Sequence, residues 1–425
     1  MRLLAGEFIV MLRPGASLAA VRGALQSLGG RVKHESAATG VVSARGLSPA
    51  AAASLAQRSD VQSVSPDYKV QWLPSPASAV KGRVFAGSRN ATTQGTDQHG
   101  AEFFSLQWNL QVTKADQAWV PTPAGKGQLV CIVDSGIDPD HVDLVGRVDL
   151  SVSKSVITSP DFPGDLTIID YNYHGTEVSS LIASNGVSMA SVAPEARLCA
   201  VKVFTADGGS SVADVIAGVD YAVSVGANVI NLSLGQYVSI LRPGVPQIIA
   251  AIQRSIDNAV SKGVFVVAAA GNNAADLDHD PQFMRILPAQ SQNVISVGAT
   301  APVNHRNFDR LASYSNYGGD TGLDLVAPGG EFAGEDPFDL VITACSQYST
   351  LFYCPGGNYY YLASGTGAAA PHVAAAGAIL ASVRGPLSPA TIKRCLKATA
   401  DPLTPYAIFG SGRLNVLAAS QCTLS

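Results

Sequence analysis

Charge is scarce in this chain. Only 14% of its 425 residues are Asp, Glu, Lys or Arg, against 47% hydrophobic residues, and the formal net charge is −4. A chain with so little charge, and no excess of the positive sign, gives no reason to expect nucleic acid or an anionic membrane as a partner. The hydrophobic share is too high for a disordered chain and ample for a core. Long apolar runs are also missing. No uninterrupted stretch of about 18 apolar residues occurs, which predicts no membrane-spanning helix. Met1–Glu7 is not a secretory signal, because its apolar run is short and broken by Gly6 and Glu7. Either the protein stays inside the cell or a signal has been removed. No internal repeat is visible. No Gly-rich phosphate loop follows a strand-like run, which excludes a nucleotide-binding α/β protein.

The six cysteines include no metal-knuckle spacing. Cys345 and Cys354 sit close together in a Gly/Tyr-rich loop, and Cys395 and Cys422 flank the last helical stretches. Both pairs could be bridged, which favours an oxidising compartment and a secreted protein. Cys131 and Cys199 lie within apolar strand-like runs and read as buried free thiols.

The length allows two or three domains of roughly 100–200 residues. Residues 1–72 read as a small unit of order β-α-β-β-α-β: a strand at Glu7–Leu12, a helix at Ser17–Leu28, one or two strands within Arg31–Ala44, a helix at Ser48–Arg58 and a strand at Val61–Val70. That order predicts a ferredoxin-like α+β sandwich. The unit carries eight Lys/Arg against four Asp/Glu, while the rest of the chain carries 20 against 28. A basic head favours docking on an acidic body. Residues 73–102, rich in Pro, Gly, Ser, Ala, Thr and Gln, read as an exposed, easily cleaved linker.

From Phe103 onward strand-like and helical patterns alternate. Leu129–Asp134, Leu198–Val203, Asn228–Ser233, Val264–Ala270 and Val294–Val297 are buried-strand runs. Ser211–Val225, Pro246–Lys262, Gly367–Val383 and Pro389–Ala400 read as helices. The alternation predicts an α/β domain over 103–425, with a doubly wound, mostly parallel sheet and helices on both faces.

Three blocks carry chemistry. Val133-Asp134-Ser135-Gly136-Ile137 ends a strand-like run. His174-Gly175-Thr176-Glu177-Val178 follows, then Gly365-Thr366-Gly367-Ala368-Ala369-Ala370-Pro371-His372-Val373. In this order they resemble the aspartate, histidine and serine motifs of the subtilisin-like serine proteases, with Gly367 where the family has its serine. Ser364, before the turn that opens the helix, does not take its place. The resemblance covers nearly the whole chain, through Gly412-Arg413-Leu414-Asn415.

The resemblance implies a serine endopeptidase acting on protein or peptide substrates. Asp134 would orient His174, the base for a hydroxyl at position 367, and Asn272, in Ala270-Gly271-Asn272-Asn273, would donate to the oxyanion. Ser233, Leu234 and Gly235 would pair with substrate backbone and form one wall of the main specificity pocket. Ala269, Ala270 and Gly271 would form the other wall, and Ile286 would shorten the pocket from below. Residues 1–72 would be an inhibitory propeptide and folding chaperone, cut off between about Leu73 and Phe103. The expected assembly is a monomer that needs no cofactor for its chemistry.

Two departures bear on this expectation. Glu177 holds the place of a second histidine outside the triad, a change that reads as tolerated. Residues 184–188 are shorter than the family's calcium-binding loop, although Asp143 and Gln107 match positions that help bind that ion; structural calcium there, or at Asp276–Asp280, is left open. Gly367 permits two readings: a protease trapped in its uncleaved precursor form, or a pseudoprotease that binds peptides without cutting them. Intact Asp134, His174 and Asn272, with the inhibitory head attached, favour the first.

Overall fold

The computed structural model describes residues 1–73, 84–88, 92–158, 162–279 and 283–424. The N-terminal unit contains β1 (Arg2–Leu12), β2 (Arg31–Ser36), β3 (Val41–Arg45) and β4 (Val61–Gln71), with helices Leu18–Ser27 and Pro49–Ala56. Each helix begins where its sequence signals a start. Ser17 accepts from the Ala20 N–H, and Ser48 accepts from the Ala51 N–H just before Pro49. Both helices cover one face of the sheet, enclosing Val10, Leu12, Val21, Leu25, Val42, Leu47 and Leu55.

The body contains β5 (Val84–Ala86), β6 (Leu129–Asp134), β7 (Lys154–Ser155), β8 (Arg197–Lys202), β9 (Gly209–Ser211), β10 (Val229–Leu232), β11 (Gln236–Ser239), β12 (Phe265–Ala269), β13 (Met284–Leu287), β14 (Ile295–Thr300), β15 (Leu325–Pro328), β16 (Val341–Cys345) and β17 (Tyr359–Ala363). Seven of these form a sheet in the order β15-β14-β12-β10-β6-β8-β7, and its pairs are parallel. Alternate residues of each strand enter different cores. Val130, Ile132, Val229 and Val267 pack with helices His174–Ile182 and Thr366–Arg384. Leu129, Cys131, Ile230 and Val266 pack with helices Val212–Ser224 and Val245–Ser261. This is the doubly wound arrangement.

Helix Thr366–Arg384 is long and apolar enough, by length and composition, to cross a membrane. Small residues, mostly Ala and Gly, interrupt its large apolar ones, and it lies 89% buried through the middle of the body.

The remaining face of the N-terminal sheet packs on helices Val212–Ser224 and Val245–Ser261 through Ile9, Met11, Tyr68 and Val70. Lys33, 2% exposed, bridges Glu7 at 3.2 Å, Ser211 at 2.9 Å and Asp214 at 3.2 Å, and His34 Nε2 lies 2.6 Å from the same aspartate. β4 continues into the body, where Lys69, Val70 and Gln71 pair antiparallel with Ser211, Ser210 and Gly209. The sheet therefore has five strands, the last from the body.

The linker reading needs correction where the chain is described; residues 74–83 and 89–91 lie outside the described residues. Val84–Ala86 forms an antiparallel edge strand on β17, and Phe85 packs on Phe103 and Tyr360. Gln98 is buried and exchanges hydrogen bonds with Ser184 and Ser191. A three-residue strand is too short to show a period in sequence, and its aromatic anchor stands alone among polar residues. The two disulfides are Cys345–Cys354 and Cys395–Cys422, and Cys131 and Cys199 are free and buried.

Candidate active site

Asp134 is the last residue of β6, at the carboxyl edge of the parallel sheet, where open α/β sheets place their sites. His174 opens the next helix. Two glycines bring the pieces together: Gly136 has φ +110°, and a Cβ on Gly175 would run into the Gly136 carbonyl. His174 Nδ1 lies 2.9 Å from both Asp134 oxygens, and Asp134 Oδ1 also accepts from the Ser135 N–H at 2.7 Å. Burial pulls the imidazole pKa down, but the Asp134 charge and hydrogen bond outweigh it, helped by Glu177 and Asp170. The result is a value pushed up to about 9.

Gly367 stands in the first turn of helix Thr366–Arg384. A Cβ on it would lie 3.0 Å from His174 Nε2 and 3.4 Å from the Ser233 carbonyl. Position 367 thus faces the imidazole with no group to present to it. Thr366 fixes Asn272, whose Oδ1 accepts from the Thr366 N–H at 2.9 Å and hydroxyl at 2.8 Å. That leaves the Asn272 Nδ2 donors turned to the cavity side, and Nδ2 lies 3.4 Å from where a Gly365 Cβ would be.

A cavity of about 510 Å³ joins these groups. His174, Asn272 and Gly367 line it together with Ser233, Leu234 and Gly235. Ala269 and Gly271 face it, whereas Ala270 does not: it is fully buried, and its carbonyl accepts from Asn316 Nδ2 at 2.7 Å. Period-two alternation at the end of β12 turns this one residue of the expected wall into the core. Ile286 is 1% exposed and sits behind the walls. Its Cγ2 is 3.6 Å from a Cβ on Gly235, and its Cδ1 is 3.0 Å from a Cβ on Gly271. Gln71, Trp72 and Leu73 enter the same cavity from β4.

Sequence reasoning missed the part played by two residues here, one of which it named only as a tolerated change. Asp170, fully buried, accepts from the Thr176 N–H at 2.8 Å, the Thr176 hydroxyl at 2.7 Å and Ser135 Oγ at 2.9 Å, while Ser135 Oγ accepts from the Gly175 N–H. It ties the end of β6 to the helix that carries His174. Its only signal was an acidic residue four positions before the histidine. Glu177 is the second. It lines the cavity, is 5% exposed and accepts a short hydrogen bond from the Tyr361 hydroxyl. Burial, with Asp134 and Asp170 adding repulsion, pushes its carboxyl up to about 7 against the pull of His174.

The side chains that the sequence offered for calcium are already taken up by protein donors. Asp143 is surrounded by protein donors: the N–H groups of Val187, Ser188 and Met189, Ser184 Oγ and the Tyr360 hydroxyl at 2.6 Å. Both side-chain ends of Gln107 are bonded to Ala190. Asp278 accepts from the N–H groups of Asp320, Thr321 and Gly322. Among the described residues no group of three or more His, Cys, Asp or Glu is placed to hold a metal ion.

Fold and site together define an α/β protein of serine-protease type. The sequence model of the subtilase family matches residues 125–412, and the chain belongs to that family. It is 35% identical over 315 residues to the thermophilic serine proteinase of Bacillus sp. (strain AK1), an alignment covering 73% of this chain and 65% of that protein. It is 34% identical over 319 residues to subtilisin BL of Lederbergia lenta, covering 75% and 99%. Two crystal structures share the fold. The epidermin leader peptide processing serine protease of Staphylococcus aureus superposes with a TM-score of 0.78 at 22% identity, over 99% of this chain and 98% of the other. Fervidolysin of Fervidobacterium pennivorans gives 0.75 at 24%, over 100% and 62%.

Proposed function

We propose that this chain is the precursor of a subtilisin-like serine endopeptidase, held uncut by glycine at position 367. The observation that carries this reading is how closely position 367 approaches the imidazole. With a Cβ 3.0 Å from His174 Nε2, a serine Oγ falls within hydrogen-bond reach after a shift of a few tenths of an ångström. In the serine form, His174 takes the hydroxyl proton as Oγ attacks the scissile carbonyl, and Asp134 stabilises the imidazolium. Asn272 Nδ2 donates to the oxyanion. His174 then protonates the leaving amine, and water hydrolyses the acyl-enzyme by the same route. With glycine there, no acyl-enzyme forms.

Substrate backbone would add as a strand along Ser233–Gly235. Ile286, packed behind both glycine walls, supports a preference for small or medium apolar side chains. A peptide library cut mainly after Arg or Lys would contradict that preference. Residues 1–72 act as chaperone and inhibitor, a role supported by their shared sheet with β9 and by Gln71–Leu73 in the cavity. Within the window from Leu73 to about Phe103, the pairing of Val84–Ala86 with β17 supports a processing cut before Val84. The two disulfides support a secreted protein. Gly367 itself favours the second reading, a pseudoprotease that holds peptides without cutting them.

The test is Gly367→Ser, followed by intact mass. Loss of the head at a cut before Val84, with new activity on casein, is the expected result. A full-length, inert product would put the pseudoprotease reading in its place.

A further inference from the structure

Glu177 is a carboxylate without a cation of its own beyond the site imidazole. Among the described residues the Tyr361 hydroxyl is the one hydrogen-bond donor to its side chain, on Oε2. Among the described residues its other oxygen takes no donor, although the residue is 95% removed from solvent and lines the cavity. Aromatic rings frame it. Tyr173 and Tyr361 meet edge to face at 5.5 Å, Tyr173 and Phe352 at 4.8 Å, and Phe352 stacks on Tyr361 at 5.4 Å. Tyr173 and Tyr361 line the cavity with Glu177, as do Tyr314 and Phe332. This is the end of the cavity built by β17 and helix His174–Ile182. At the end built by Ser233–Gly235 and Gly271, Leu234 and Ile286 belong to a different core from Tyr173 and Tyr361.

We propose that Glu177, with Tyr173 and Tyr361, forms a cation-accepting subsite that takes an ammonium or guanidinium group of a bound peptide. A half-satisfied carboxylate in a low-dielectric pocket gains more from a cation than a solvated one does. The electron-rich faces of tyrosine rings add to the attraction. Lys202, a buried lysine of β8, does not serve: it donates to the Ser135 and Ile169 carbonyls. The raised carboxyl pKa agrees with a group awaiting its counter-charge, since a bound cation would bring it down again. The subsite rests on the reading of this cavity as a peptide cleft. It makes Glu177 a recognition residue, which the plain tolerance of a missing histidine does not.

Binding can be read on the full chain as it stands, without catalysis. Three probes separate the sources of the cation: Nα-acetyl-lysine amide carries a side-chain ammonium, glycine amide an α-ammonium, and Nα-acetyl-norleucine amide neither. Ligand-detected NMR titration should show at least one of the first two binding about tenfold or more tighter than the neutral probe. E177Q should lose that advantage. Y361F, which keeps the charge, should retain it. Equal binding of the charged and neutral probes to the wild-type chain overturns the proposal, even if E177Q fails to fold. An unchanged advantage in a folded E177Q also overturns it. The same change in a Gly367→Ser background should lower the ratio of kcat/KM for basic over neutral peptides. Failure of Gly367→Ser to process itself counts against the protease reading, while the probe titrations still decide the subsite.

Discussion

The carbonyl of Gly367 accepts a hydrogen bond from Ser233 Oγ at 2.7 Å. The bond exists because Pro371, four residues on in the same helix, has no N–H to offer that carbonyl. Asn231 Nδ2, 2.9 Å from Ser233 Oγ, holds the hydroxyl in turn. The helix turn at the site is thereby fastened to the strand that forms the cleft wall.

Ser233→Ala leaves the Gly367 carbonyl buried without a partner. The expected loss is about 1–3 kcal/mol of unfolding free energy, read by urea denaturation. A fall of the midpoint with an unchanged slope would locate the effect in the folded state. No fall would mean that water or a shifted turn satisfies the carbonyl.

In a Gly367→Ser background, His174 must be neutral to act as base. Its raised pKa keeps it cationic through neutral pH, so activity should climb with pH toward about 9, well above the ordinary histidine range. Asp134→Asn removes the charge that raises the pKa. The acid limb of the profile should move to lower pH while kcat drops by about 10⁴. A limb that stays near the ordinary value in the parent enzyme would contradict the electrostatic account.

Asp67, 1% exposed on β4, meets Lys33, Asp214 and Glu7 at the junction with the body, and burial pushes its carboxyl up to about 7. Folding therefore takes up a proton here. Asp67 contributes its full stability below about pH 4 and loses it as pH rises through about 7. Against the pull of burial, Asp214 is held down by His34 and Lys33, and Lys33 is pushed up by Asp214, Asp67 and Glu7, so these two act below and above this window. Glu177, also pushed up to about 7, shares it, and burial raises Asp170 and Asp220 in the same direction. Asp67→Asn should narrow the stability gap between about pH 4 and pH 8 by a few kcal/mol without closing it. An unchanged gap, from denaturant unfolding at both pH values, would remove Asp67 from the account.

Chelation should do little. Asp143 already receives three N–H groups and two hydroxyls, so excess EGTA should leave the melting temperature within about 1 °C, while Asp143→Asn should cost about 2–4 kcal/mol through lost charged hydrogen bonds. A large chelator effect would show a calcium site that the described residues do not reveal.

The parts legible in sequence were those with local signatures. Leu129–Asp134 is an unbroken apolar run, and its bounds as a strand match the structure; Ser17 and Ser48-Pro49 mark helix starts that form there. Asp134, His174, Asn272 and Gly367 stood out through long motifs, and the fold sets His174, Asn272 and Gly367 around one cavity with Asp134 buried behind the histidine. What escaped depended on partners distant in the chain. β15 reads as Leu-Val-Ala-Pro, too short for a period, and is a strand because β14 lies beside it. β16 and β17 exist by pairing with each other. Glu177 reads only as a tolerated replacement in the histidine motif until Tyr361, 184 residues later, donates to it.

β4 meets β9 through main-chain atoms, Lys69 to Ser211, Val70 to Ser210 and Gln71 to Gly209. Main-chain pairing is blind to side-chain identity. The two segments are free to drift apart in sequence over generations and still recognise each other. A head borrowed from a distant relative should therefore still seat on this body, provided apolar residues at the places of Ile9, Met11, Tyr68 and Val70 and the cationic neighbour of Asp214 come with it.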